Sequence, residues 1–277
     1  MKTRAASTGP FHIIAHRGGA AHAPENSLPA FRRSLEIGVP EVETDVRLSR
    51  DGALVLFHDD DLAEKTDHAG PVEARKIAEL RSIDIGGWFD RNHPDHPERF
   101  AGTGLLTLED LFETFGRRLY YHLELKGESP ELPDRILAEA RSAGVLARVA
   151  LSSFSEAHLR RARQLDAALP LTWLLRQARN TASPVRVQRA RIEAAIAAGF
   201  DEVSLAADEV TPRLVAFAQS LGLSVRAWRV RSPEAMRRVI NAGVNGMTID
   251  DPDALVSYLL ATAPPGSGVA ADGRTPG

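Results

Sequence analysis

Two histidines, an arginine, a lysine and three carboxylates stand where strand-like runs should be apolar. His16 and Arg17 close the run "FHIIAHR", Glu43 and Asp45 sit two apart in "EVETDVRL", His58 ends "LVLFH", and Glu124 and Lys126 share one side of "HLELK". Three carboxylates drawn into one partly buried place repel, and their pKa values rise unless a positive charge compensates. A divalent cation removes the conflict, and all-oxygen ligation selects Mg²⁺ or Ca²⁺ over Zn²⁺. Arg17 and Lys126 add fixed positive charge suited to a phosphate. His16 and His58 can serve as general base and general acid on opposite sides of a phosphoryl centre. Phosphodiester cleavage uses all of these parts. Taken singly, each residue has a plain structural reading, such as a rim salt bridge or a hydrogen-bonded histidine. The argument lies in their coincidence at one end of four consecutive strand candidates.

Those candidates are part of a longer rhythm. Short apolar runs at Phe11–Ala15, Glu41–Leu48, Leu54–His58, Tyr120–Leu125, Val149–Ser152, Leu171–Leu175, Glu202–Leu205, Ser224–Trp228 and Gly246–Ile249 alternate with amphipathic segments. That alternation predicts βα units around a parallel sheet, and 277 residues suit a single (β/α)₈ TIM barrel. Polar residues at the C-terminal strand ends then fall at the mouth, where such barrels carry their sites. His122 should face inward one layer below Glu124.

Nine candidates are one too many for eight units. Leu48 and Leu54 are separated only by "SRDGA", too short for a parallel crossover, and Asp51-Gly52 is a two-residue hairpin signal. The strand 54–58 should therefore return antiparallel, and a turn at Asp51-Gly52 would set Asp45 opposite His58. Residues 59–104 belong to no βα unit and read as an insertion over the barrel mouth. Residues 1–262 read as one domain, and the Pro/Gly/Ala-rich segment 263–277 as a disordered tail.

Composition narrows the classes. A net charge of -3 lacks the basic footprint of a nucleic-acid binder, and with no cysteine there are no disulfides or thiolate metal sites. The opening "MKTRAASTGPF" has no apolar signal core and no run is long enough to span a membrane, so the expectation is a cytoplasmic enzyme or binding protein.

The pieces "AHRGG", "PENS", "ETDVRLSRDGALVLFHDDDL", "DIGGWF", "LTLEDLF", "HLELK", "LSSFS", "AWRV" and "GMTIDDPD" follow one another from Ile13 to about Asp253. Together they resemble the glycerophosphodiester phosphodiesterase family of TIM barrels. The resemblance implies metal-dependent hydrolysis of a glycerophosphodiester to sn-glycerol 3-phosphate and an alcohol. It implies His16 and His58 as the catalytic pair, and Glu43, Asp45 and Glu124 as ligands of Mg²⁺ or Ca²⁺. It sets Arg17 and Lys126 on the phosphate, and Trp228 is read as a wall of the glycerol pocket. The partner is a small-molecule glycerophosphodiester, with no nucleic acid and no membrane span. Alternatives of similar layout are a phosphodiesterase or lyase acting on lysophospholipids or inositol phospholipids, and a non-catalytic phosphodiester-binding barrel. The chain departs from the family's usual pattern at Arg229, Arg231 and Ile249, near the last strands.

Overall fold

In the run Tyr120–Leu125, Tyr121, Leu123 and Leu125 alternate with His122 and Glu124. A period of two folds as a strand with two unlike faces, one for helices and one for the sheet's interior. The computed structural model describes residues 11–262 and bears this pattern out. The segment 263–277, expected to be a disordered tail, lies outside the described residues.

Among the described residues nine strands form: β1 (His12–Ala15), β2 (Glu41–Leu48), β3 (Leu54–Leu56), β4 (Tyr120–Leu125), β5 (Val149–Ser153), β6 (Leu171–Leu174), β7 (Glu202–Ala206), β8 (Ser224–Trp228) and β9 (Gly246–Ile249). Eight of them follow the order β1-β9-β8-β7-β6-β5-β4-β2, and pairing of β1 with β2 closes the parallel sheet into a (β/α)₈ barrel. Among the described residues, no helix is long and apolar enough to cross a membrane.

The chain divides into two compact units, each of which can be taken by itself. One comprises Ala15–Val149 and, among the described residues, 250–262. Within it β2 and β4 run parallel in a register that sets Glu43 beside His122 and Asp45 beside Glu124. β3 returns antiparallel to β2, as the short connection requires, with Leu48 opposite Leu54 and Val46 opposite Leu56. The turn differs from the two-residue expectation. Ser49 N–H donates to the Ala53 carbonyl at 2.8 Å and Gly52 N–H to the Ser49 carbonyl at 3.0 Å. The loop is thus Arg50–Asp51–Gly52, with Gly52 at φ 84°, the left-handed position of a three-residue hairpin. One extra loop residue moves the register by one, so Phe57, not His58, stands opposite Asp45. Phe57 N–H donates to the Asp45 carbonyl at 3.1 Å. The strand also ends at Leu56, two residues short of the expected 54–58.

The insertion is built on that hairpin. Val55 and Phe57 bury themselves with Leu62, Val72, Leu80, Ile83, Ile85 and Leu105 in a cluster of their own. Where the insertion returns, Leu56 N–H donates to the Leu106 carbonyl at 2.9 Å, covering the free edge of β3.

The second unit comprises, among the described residues, 11–14 together with Ala150–Ile249. In it β5 to β9 pair in parallel order. Arg226 is fully buried and lies 3.1 Å (Nε–Oε1) from Glu202, which also accepts a 2.8 Å bond from Thr172. Trp228 ends β8 and packs edge-on against Phe154.

Candidate active site

The β2–β4 register assembles the carboxylates. Oxygens of Glu43, Asp45 and Glu124 lie within 4.8 Å of one another and all three side chains are buried. Lys126 Nζ reaches Glu124 at 2.7 Å and Asp45 at 3.2 Å. Burial opposes the charged form of Asp45, but the Lys126 and Arg17 charges outweigh it and hold that carboxyl well below its usual range. Glu43 goes the other way: burial, then the Asp45 charge, push it up to about 8. Its Oε1 is buried without a hydrogen-bond partner in the protein. A buried, unpartnered carboxylate oxygen beside two further carboxylates suits a hard cation, so the trio could hold a metal ion.

β1 delivers the first histidine and arginine. After Ala15 the chain turns sharply, with Arg17, Gly18 and Gly19 at φ 51°, 83° and 100°. A non-glycine residue in that region is strained, and strain of this kind gathers at functional sites. The turn aims the Arg17 backbone N–H at Glu43 Oε2, 3.1 Å away. Its guanidinium Nε lies 3.3 Å from Asp45, and Nη1 donates to both oxygens of Glu25 at 2.8 Å. Gly18 has a packing reason of its own. A Cβ there would come within 2.9 Å of Ala30 and Phe31 on the helix Leu28–Glu36. His16 Nδ1 bonds Asp250 at 2.5 Å, while its Nε2 faces Glu43 at 3.8 Å. Burial disfavours the imidazolium of His16, yet the Asp250 bond and the Glu43 charge raise its pKa above the ordinary value.

His58 repeats the arrangement. Its Nδ1 bonds Asp59 Oδ1 at 2.7 Å, which leaves Nε2 for chemistry. Lying beyond the end of β3, it is not held by the ladder. Buried Arg47 holds it instead, donating from Nε to the Phe57 carbonyl at 3.2 Å and from Nη2 to the His58 carbonyl at 2.8 Å, with Asp60 also on Nη2 and Glu73 on Nη1. When protonated, His58 adds to the positive charge that lowers Asp45, although it does not stand opposite it on the ribbon.

His16, Arg17, Glu43, Asp45, His58, Glu124 and Lys126 are all in the first unit. His122 sits one layer lower, bonded to Glu41 at 2.9 Å. Trp228 is in the other unit, with its Nε1 buried and unpartnered; Arg229 and Arg231 there are exposed, and Ile249 is buried. Several residues that matter to the site had no separate signal. Asp250 and Asp59 orient the histidines. Asn26, left-handed at φ 56°, donates to Asp45 at 3.1 Å and accepts from Thr44 at 2.7 Å. Glu25 accepts from Arg17 and, at 2.6 Å, from Lys65 of the insertion. Read as a loop and helix cap, "PENS" hides both, although Ser27 does cap its helix. Glu25 also forms a second acidic group with His58 and Asp59, but Arg17 and Lys65 already neutralise its charge.

The model of the glycerophosphoryl diester phosphodiesterase family matches residues 16–254. A glycerophosphodiester phosphodiesterase of Caldanaerobacter subterraneus is 30% identical over 251 residues, covering 89% of this chain and 97% of that protein. A solved structure from Silicibacter pomeroyi has a TM-score of 0.81 at 27% identity, covering 94% of this chain and 96% of the other. An Oleispira antarctica phosphodiesterase, solved in complex with the product sn-glycerol-3-phosphate, has a TM-score of 0.77 at 23% identity, covering 90% and 96%.

Proposed function

The chain belongs to the glycerophosphoryl diester phosphodiesterase family, an enzyme family whose reaction is hydrolysis of glycerophosphodiesters, and on that premise we propose how its residues divide the work. The products are sn-glycerol 3-phosphate, the product held by the Oleispira antarctica relative, and an alcohol. One of His16 and His58 takes the proton of the attacking glycerol 2-hydroxyl and the other gives a proton to the departing alkoxide, and water then opens the cyclic phosphate to glycerol 3-phosphate with the two roles exchanged. The observation that carries this is the repeated pairing of Nδ1 with an aspartate, Asp250 for His16 and Asp59 for His58, which fixes both rings and keeps each Nε2 available.

Arg17 and Lys126 bind the phosphate. Arg17 Nε lies 3.3 Å from Asp45 without a hydrogen bond and Nη1 donates to both oxygens of Glu25, so Nη2 is the terminal guanidinium nitrogen left for a phosphate oxygen. Lys126, with three N–H donors, can do the same while keeping Glu124 and Asp45. Glu43, Asp45 and Glu124 would hold Mg²⁺ or Ca²⁺, which would supply positive charge to stabilise the phosphoryl group in the transition state. Trp228, at the C-terminal end of β8, is assigned to the glycerol moiety.

The test is release of glycerol 3-phosphate from glycerophosphoglycerol and glycerophosphocholine, with and without EDTA, for the wild type and for His16→Ala and His58→Ala. Release should require the cation and fall by about 10²-fold or more in each histidine variant. No release from any diester would refute the reaction; full turnover after exhaustive chelation would refute the cation.

A further inference from the structure

Beside the phosphate-binding arginine, a cavity of about 110 Å³ opens between the barrel rim and the insertion. Phe57, Ile85, Trp88 and Phe89 are among its walls, and Glu25, Asn26, Lys65 and His93 are its polar lining. It adjoins the proposed chemistry in two ways. Glu25 holds Arg17 at 2.8 Å, and Phe57 is the peptide neighbour of His58. A buried water needs roughly 10–15 Å³, so the space holds about seven to eleven water-sized groups, the scale of a small alcohol.

We infer that this cavity receives the alcohol half of the diester, and that Lys65 makes it a site for uncharged polyol or anionic alcohols in preference to ammonium alcohols. The inference rests on the reaction proposed above and adds to it the class of leaving alcohol. An aromatic pocket with a carboxylate at its end ordinarily suits a quaternary ammonium. Here both features are taken. Lys65 Nζ lies 4.8 Å from the centre of the Trp88 ring and 2.6 Å from Glu25. Glu25 is shared by Lys65 and Arg17, so the carboxylate that lines the cavity is already spent on two cations of the protein. An entering ammonium would meet the Lys65 charge in a half-buried place, where repulsion is stronger than in bulk water. A hydroxyl or an anionic group meets instead the unspent N–H donors of Lys65, and the aromatic walls cover its carbon atoms.

The experiment has two arms. In the first, kcat/KM of the metal-loaded protein is measured for glycerophosphoglycerol, glycerophosphoinositol, glycerophosphocholine and glycerophosphoethanolamine. The first two should exceed the last two by about tenfold, the usual scale of one unfavourable charge contact. Lys65→Met should collapse that ratio toward one, chiefly by lowering KM for glycerophosphocholine, because the Trp88 face is then free. Trp88→Ala should raise KM for every diester. The second arm measures binding of glycerophosphoglycerol and glycerophosphocholine by calorimetry to a His16→Ala, His58→Ala double variant, with and without Lys65→Met. If the wild type turns over no diester but the binding ratio still depends on Lys65, the reaction is wrong and the subsite stands. If diesters are cleaved and both ratios ignore Lys65 and Trp88, the subsite is overturned.

Discussion

Strands β2 and β4 carry two polar layers on the same face, and the layers are built on opposite rules. In the lower layer Glu41 meets His122 at 2.9 Å, one acceptor against one ring nitrogen. In the upper layer Glu43, Asp45 and Glu124 face Lys126 and Arg17, three carboxylates to two cations, and Arg17 is shared with Glu25. The lower layer answers its polar groups within the protein. The upper one leaves Glu43 Oε1 buried with no partner. Unanswered buried charge costs stability, so a fold that retains it invites a ligand that answers it. Two residues of climb along the same strands separate a structural pair from a site.

Substitution on each layer should separate the two most widely. Glu43→Gln should lower kcat/KM by about 10³-fold or more. Its melting temperature should hold or rise, because a buried carboxylate with a raised pKa is removed. Glu41→Gln should keep activity within about threefold and instead cost about 1–3 kcal/mol of stability, the scale of a disturbed buried hydrogen bond. Turnover assays alongside thermal melts read both. A folded Glu41→Gln as inactive as Glu43→Gln would end the distinction.

A smaller effect sharpens the same contrast through pH. With Glu43 pushed up to about 8 in the metal-free protein, that carboxyl is protonated at neutral pH. A cation must displace the proton to use it. Metal affinity should therefore rise about tenfold per pH unit from about 6 to 8 and level off above. Calorimetric titration with Mg²⁺ in buffers of different ionisation enthalpy should show about one proton released at pH 7. Glu43→Gln should bind weakly and without that slope. An affinity flat between pH 6 and 8 in the wild type would mean that the upper layer is not proton-loaded.

The layers themselves were legible in the sequence because strand alternation is local: Glu43 with Asp45 and Glu124 with Lys126 announce a face by spacing alone. The direction of β3 was legible for the same reason, since five residues cannot hold a crossover. Its register was not. Whether "RDG" gives a two- or a three-residue loop depends on Ser49 closing onto Ala53, which composition does not reveal. The supports of the histidines lay deeper still. Asp250 is 234 residues from His16, and Arg47 acts on backbone carbonyls, so neither bond leaves a pattern along the chain. Asn26 and Glu25 were masked because a helix start explains the same residue types.

One residue away from the site tests whether surplus charge alone marks function. Glu139, on the helix Leu132–Ser142, has a buried Oε1 without a partner, and burial followed by the Glu109 and Asp110 charges pushes its pKa up to about 7. Like the upper layer it is a carboxyl too many. Unlike that layer it stands half-buried, where water screens part of the cost. The folded pKa lies above the unfolded value near 4.5, so the charged form is the destabilising one. Its cost is absent below the unfolded value, grows as pH rises from about 4.5 to 7, and persists above. Glu139→Gln should thus add about 1 kcal/mol at pH 8 after allowance for screening, a rise of roughly 2–4 °C in Tm for a chain of this size, and little at pH 5. Activity should not change. Equal stabilisation at both pH values would show that charge is not the cause. A loss of turnover would show that surplus carboxylates in this fold cannot be sorted by whether the surrounding cations and the opposing strand answer them.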